Sequence, residues 1–306
     1  MIKKIPIIID TDIGDDIDDA FALCLAMQSP ELDILGVTTV FKNTRLRAML
    51  AKRLLRLGGR EDIPVAIGAS IPLSNTEMFG EKVNFEEPPL TFCEEFEEEL
   101  QEERHAIDFI IDVLEASEEP VTIVTMGALT NIADVLRRRP DLKDKIKQLS
   151  IMGGAYEMNW TEYNYACDPE AADFCLHSGL LIKAIGIDVT FQCSIKQKQL
   201  EVLQANAHPC IEMLMTMCGK WTENGEVFLH DPLALWTAFD DSVVHFKREA
   251  FCVEHQARYS RGICIRLSDH NWKRSVESEN LFVAKTVDSE RFVTGCMERL
   301  NSFIKE

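Results

Sequence analysis

The chain has 306 residues, 46% hydrophobic and 27% charged, with a formal net charge of −19. That length supports one large hydrophobic core, and the acidity argues against nucleic-acid or anionic-membrane surfaces, which call for basic patches. No run approaches the roughly 20 apolar residues of a spanning helix; ten scattered cysteines without a CxxC pair argue against structural zinc and for buried free thiols in a reducing cytoplasm.

In chain order, IPIIID (5–10) predicts a first strand rather than the apolar core of a signal peptide. Six aspartates follow within ten positions, at 10, 12, 15, 16, 18 and 19, with no Lys or Arg among them. Helical spacing begins at 20–28, and a strand is expected at 32–40, a helix at 44–59 and a strand at 64–69. Residues 86–103 carry nine glutamates and read as a solvated loop and helix face. A helix at 104–117, a strand at 121–127, a helix at 131–146 and strands at 146–154 and 181–190 complete the pattern. Alternation of this kind implies one α/β domain over 1–306, with a mainly parallel (mixed) central sheet flanked by helices. Ligands of such sheets bind beyond the carboxyl ends of the strands. The polar clusters DTDIGDD, FKN, TMGALTN and MGGAYEMN all fall at those ends.

Carboxylates this close repel one another, so a compact fold keeps them ionised only if a cation or hydrogen bonds offset the charge. Asp15, Asp16 or Asp18 can cap a helix starting at Asp19, but six exceed what capping needs. Oxygen-rich clusters without His or Cys select calcium or magnesium over zinc, and the Gly and Glu spacing of an EF-hand is absent. Asn131 reads as a helix N-cap and Asp168-Pro169 as a helix start. His105, His177, His208, His245, His255 and His270 have no functional context and read as structural or exposed.

Two enzyme plans place a DxD after a first strand. A haloacid-dehalogenase-like phosphatase would use Asp10 and Asp12 but leaves the other four aspartates idle, and no later paired-Asp strand end is found. The second accounts for more of the chain. DTDIGDDIDDAFA resembles the DTDPGxDDAxA signature of the inosine–uridine-preferring nucleoside hydrolases. The likeness continues in family order through VTTVFKN (37–43), VTMGALTNIA (124–133), IMGGAYEMNWTEYNYACDPEAA (151–172) and HDPLAL (230–235).

The resemblance implies a calcium ion held by Asp12, Asp19, Asp231 and the backbone carbonyl of Met126. It implies ribose contacts from Asp18, Asn43, Met152, Asn159, Glu162 and Asn164. Asp12 is then the general base, His230 the acid that protonates the departing base, and Asp10 a supporting aspartate. The expected reaction is hydrolysis of a ribonucleoside to base and ribose, through a transition state with positive charge on the sugar. The expected protein is a cytoplasmic homodimer or homotetramer taking a small ribonucleoside, with no nucleic-acid or membrane partner. A calcium-dependent nucleoside or ribose binder without turnover is the non-enzymatic alternative. The chain departs from the family pattern in a two-residue-longer aspartate loop carrying Asp15 and Asp16, which receive no catalytic role. It also lacks a histidine in 75–85, and 220–229 lacks the aromatic and basic residues often used to contact the base. Both stretches cover the nucleobase end, where Trp160 and Trp221 are candidates for stacking.

Overall fold

The computed structural model describes residues 3–73, 77–78, 80–98, 100, 104–221, 226–267 and 280–304. His270, residues 222–225, and parts of the 75–85 and 86–103 segments lie outside the described residues.

Eight strands form one sheet: β1 (Ile5–Thr11), β2 (Leu32–Thr39), β3 (Val65–Ala66), β4 (Val121–Thr125), β5 (Ile146–Met152), β6 (Ile182–Ile185), β7 (Val244–Arg248) and β8 (Leu281–Val287). Their order across the sheet is β7-β8-β6-β5-β4-β1-β2-β3, and every pairing is parallel except β7 with β8. Ile7 and Ile9 pack into the core on one face and Ile8 into the core on the other. A strand covered on both faces needs a continuous apolar run, which is why β1 reads III rather than alternating.

The first core holds α1 (Asp18–Met27), α2 (Thr44–Leu57), α8 (Pro209–Trp221), α9 (His230–Trp236) and α10 (Ser289–Leu300). The second holds α3 (Ala106–Ala116), α4 (Thr130–Arg138) and α6 (Pro169–Leu176). Two short helices, α5 (Tyr163–Cys167) and α7 (Ile187–Thr190), follow the ends of β5 and β6. Strand order reverses direction at β1, with β2 on one side and β4 on the other. Such a switch opens a crevice at the carboxyl ends, where connections leave toward opposite faces.

Four expectations change in the fold. The 181–190 run is a strand only to Ile185: Gly186 turns the chain, and 187–190 become α7, whose Asp188 accepts the N–H groups of Tyr156 (2.6 Å) and Glu157 (3.1 Å). The 131–146 helix stops at Arg138, because Pro140 disfavours helical backbone before it and a 3₁₀ turn takes over at Pro140–Lys145. α1 begins at Asp18, with Ile17 at its N-cap and no side-chain cap, so no aspartate caps it. Asn131 lies inside α4, whose N-cap is Leu129. Asp168 does cap α6, accepting from the Ala171 N–H at 3.0 Å. None of the ten cysteines forms a disulfide, and seven of them are buried. No helix among the described residues is long and apolar enough to cross a membrane.

Candidate active site

A cavity of about 540 Å³ opens at the carboxyl ends of β1, β4 and β5. Its floor is acidic. Asp18 and Asp19, in the first turn of α1, meet Asp231, in the first turn of α9, with one oxygen from each within 4.8 Å of the others. All three are buried. Asp18 also accepts the Asp231 N–H at 3.1 Å, so the start of α9 is tied to the start of α1. Thr11 donates to Asp19 and receives the Ile13 N–H at 3.1 Å, which fixes the Asp19 rotamer.

Asp12 lies beside this cluster. Its carboxylate fits against Gly127, where a Cβ would stand 3.0 Å from the Asp12 Cγ and 2.8 Å from a Val40 methyl. Glycine after Met126 is therefore what leaves room for Asp12. Asp10 sits beneath, accepting from Thr38 (2.5 Å) and from the Asn131 amide (2.8 Å). Asn131 also donates to the Thr39 carbonyl and accepts the Ala69 N–H, so it joins three strand ends instead of capping a helix. Asp10 thus stands behind the cluster, held by Thr38 and Asn131.

The remaining expected residues divide. Met126, Met152, Glu162, Asn164 and His230 line the cavity. Glu162 accepts three backbone N–H groups, from Gly154, Asn164 and Tyr165 at 2.8–3.0 Å, which aim it inward. The Asn164 amide donates to the carbonyls of Met126 (3.1 Å) and Met152 (3.2 Å), bridging β4 and β5. Asn43 and Asn159 do not line the cavity. Asn43 caps α2 through the Leu46 N–H and donates to the Glu86 carbonyl, while Asn159 is exposed. His230 hydrogen-bonds Thr190 Oγ1 through Nδ1 at 2.6 Å and packs against the rings of Phe191 and Phe228.

Three contributors went unread in the sequence. Arg47 is fully buried in α2 and binds the carbonyls of Asp12, Ile13 and Phe41, and Asp15 at 2.8 Å. It clamps the aspartate loop to the β2–α2 turn, where Phe41 and Lys42 hold left-handed φ of 63° and 55°. The available signal was a charge on the apolar stripe of α2, one and two turns before Ala51 and Leu54. Lys42 pairs with Asp15 (3.3 Å) and Glu87 (3.8 Å) at the rim. The strap 86–91 is the third: Glu87, Pro88 and Leu90 line the cavity, and Thr91 anchors them to the Gly14 carbonyl at 2.9 Å. This part of the acidic segment is solvated, as expected, with Glu86, Glu87, Pro88 and Leu90 exposed, and it also walls the site.

Burial pushes Asp10, Asp12, Asp16 and Asp18 up to about 7; it pushes Asp19 and Asp231 well above the carboxylate range too, with mutual repulsion second. Only oxygen donors converge on Asp18, Asp19 and Asp231, no Lys or Arg among the described residues pairs with them, and that set fits a hard divalent cation. Raised carboxylates bind protons in the folded state that the unfolded chain has released. Stability of the cation-free protein therefore falls as pH rises from about 4 through about 7. His230, lowered by burial to about 4, acts the other way between about 4 and 6.5, but it is one group against several. The midpoint of cation-free protein is expected to drop between about pH 5.5 and 8, and added calcium to restore it most at pH 8. A cation-free midpoint flat or rising over that interval, measured by calorimetry, would contradict the strain assigned to the cluster.

A family model described as inosine-uridine preferring nucleoside hydrolase matches residues 7–294. The chain belongs to this family. It is an N-glycosyl hydrolase of ribonucleosides. The pyrimidine-specific ribonucleoside hydrolase RihA of Photobacterium profundum is 38% identical over 248 residues, 75% of this chain and 78% of that protein. RihA of Escherichia coli O1:K1 / APEC is 32% identical over 321 residues, covering 98% and 99%. A plant nucleoside hydrolase, PpNRh1, superposes with a TM-score of 0.83 at 29% identity, covering 97% of this chain and 99% of that one. The purine-preferring ribonucleoside hydrolase of Gardnerella vaginalis gives 0.82 at 27%, covering 97% and 98%. The nucleoside hydrolase-like fold and the family read from the motif blocks agree with these relatives.

Proposed function

We propose that the chain hydrolyses ribonucleosides in a calcium-dependent reaction at this cavity, with Asp12 as general base and His230 at the leaving base. The observation that carries the reading is the buried all-oxygen cluster of Asp18, Asp19 and Asp231 beside Asp12. Asp19, Asp231, Asp12 and the Met126 carbonyl are the residues that would hold calcium, with Asp18 touching the same cluster. Bound calcium supplies the positive charge that makes a neighbouring water acidic enough to lose its proton near neutral pH.

The chain's own residues do the rest. Asp12, held against Gly127 beside the cluster, accepts the water's proton. Asp18, Glu162 and Asn164 face the sugar and hold its hydroxyls; Met152 packs against it. Of the two asparagines placed on the ribose by resemblance, Asn43 holds the strap at Glu86 and Asn159 is exposed outside the cavity lining. The carboxylates and amide that face the sugar tighten on it as positive charge develops. Burial keeps His230 neutral at pH 7, so its contribution is a hydrogen bond from the neutral ring, not a proton carried by imidazolium.

The curated relatives are named for pyrimidines and one solved neighbour for purines, and the cavity is wide enough for either. The test is release of free ribose from a panel of purine and pyrimidine ribonucleosides, before and after chelation and with calcium added back. Release that stops on chelation and returns with calcium is the expected result. Nucleoside binding without ribose release would make the chain a binder instead.

A further inference from the structure

Resting on the hydrolase reading, we propose that the cavity selects N-ribosides whose base carries a positive charge, a pyridinium or N-alkylated purinium, over uncharged nucleosides. Eight carboxylates line the cavity, and Lys42 is the one lysine or arginine among its described lining residues. Lys42 is engaged by Asp15 and Glu87, and the buried Arg47 is engaged by Asp15. At pH 8 with a divalent ion bound, the carboxylates are ionised, and that ion together with these two side chains leaves about half of the negative charge without a partner.

The surplus reaches the leaving-group end. Asp16, half-buried, shares the wall with His230, accepts the Ile17 N–H, and pairs with no lysine or arginine among the described residues. The same cavity exposes π surface: Trp160 is 57% exposed, Phe191 46% and Trp221 40%, all among its lining residues. Exposed aromatics gathered at one mouth mark a ligand surface. Stacking alone would take any base, but aromatic faces beside an unpaired carboxylate favour a cation.

The chemistry closes without an acid. Water oxygen bonds to C1′ as the C1′–N bond breaks. The bond's electron pair goes to the ring nitrogen, converting the cationic base to a neutral one, and the water's proton goes to Asp12. A cationic base needs no proton in order to leave.

The probe is nicotinamide riboside, compared with uridine and inosine on the calcium-loaded protein at pH 8, where Asp16, pushed up to about 7, is ionised. Expected is a kcat/KM for the cationic substrate at least ~10-fold above either uncharged one, falling several-fold as salt is raised while uridine changes little. Asp16→Asn should cost nicotinamide riboside about 10-fold more in kcat/KM than uridine, chiefly through KM. Because pyridinium ribosides are intrinsically labile, the salt response and the Asp16→Asn difference decide. If uridine is cleaved but both are the same for the two substrates, the inference falls and the hydrolase reading stands. If no substrate releases ribose, the hydrolase reading falls and the inference goes with it.

Discussion

Asp12→Asn is expected to lower kcat on any ribonucleoside by ~10²–10⁴-fold, the usual worth of a general base. The amide keeps the shape that fits against Gly127 but cannot accept the water's proton. Folding should survive, because the substitution removes one negative charge from a cluster that already holds too many. Asp12 is buried, Asp15 and Glu162 add to the repulsion it feels, and Arg47 counters it. The midpoint of the cation-free variant is therefore expected at or above that of the parent at pH 8, which separates lost chemistry from lost structure. A variant retaining more than about a tenth of the parent kcat would place the base elsewhere.

His230→Ala is expected to slow cleavage of inosine by roughly 10²-fold and to leave p-nitrophenyl riboside hydrolysis nearly unchanged. A purine leaves poorly as an anion and gains from a hydrogen bond at its ring nitrogen, whereas nitrophenolate is stable without one. The ring is set for this by Thr190 at Nδ1 and by the flanking Phe191 and Phe228. Asp231 is the next residue and its N–H is bound by Asp18. Equal losses on both substrates would mean that His230 acts by holding Asp231, and base departure would then rest on Trp160 or Trp221 at the rim. Steady-state rates on the two substrates distinguish these outcomes.

What the sequence determined by itself lies in local patterns. The triple isoleucine of β1 states that both faces are covered, the six aspartates state that a strand end gathers negative charge, and helix spacing placed α1 to α3 within a few residues. The ordered motif blocks were legible because each is contiguous in the chain: four leave the ends of β1, β2, β4 and β5, and HDPLAL opens α9. The C-terminal antiparallel edge, β7 on β8, went unread: the edge strand β7, VHFKR, is mostly exposed and lacks the apolar run of a buried strand.

The tertiary structure alone decided partnerships between distant residues. Asn131 has the composition of a helix cap, yet its partner Asp10 is 121 positions away, and only β1 lying beside β4 brings them together. Asn43 is placed on the sugar by its motif, and the tertiary structure adds two partners that the motif does not declare, the Leu46 N–H and the Glu86 carbonyl. Arg47 and Asp15 are 32 positions apart, and neither declares the other until α2 packs behind the aspartate loop. Asp18, Asp19 and Asp231 become one cluster only where α1 and α9 start side by side. Spacing along a chain reports which face a residue takes, because backbone geometry is periodic. Which hydrogen bond a polar side chain makes depends on the group that folding delivers to it, and that group is set by packing across the sheet.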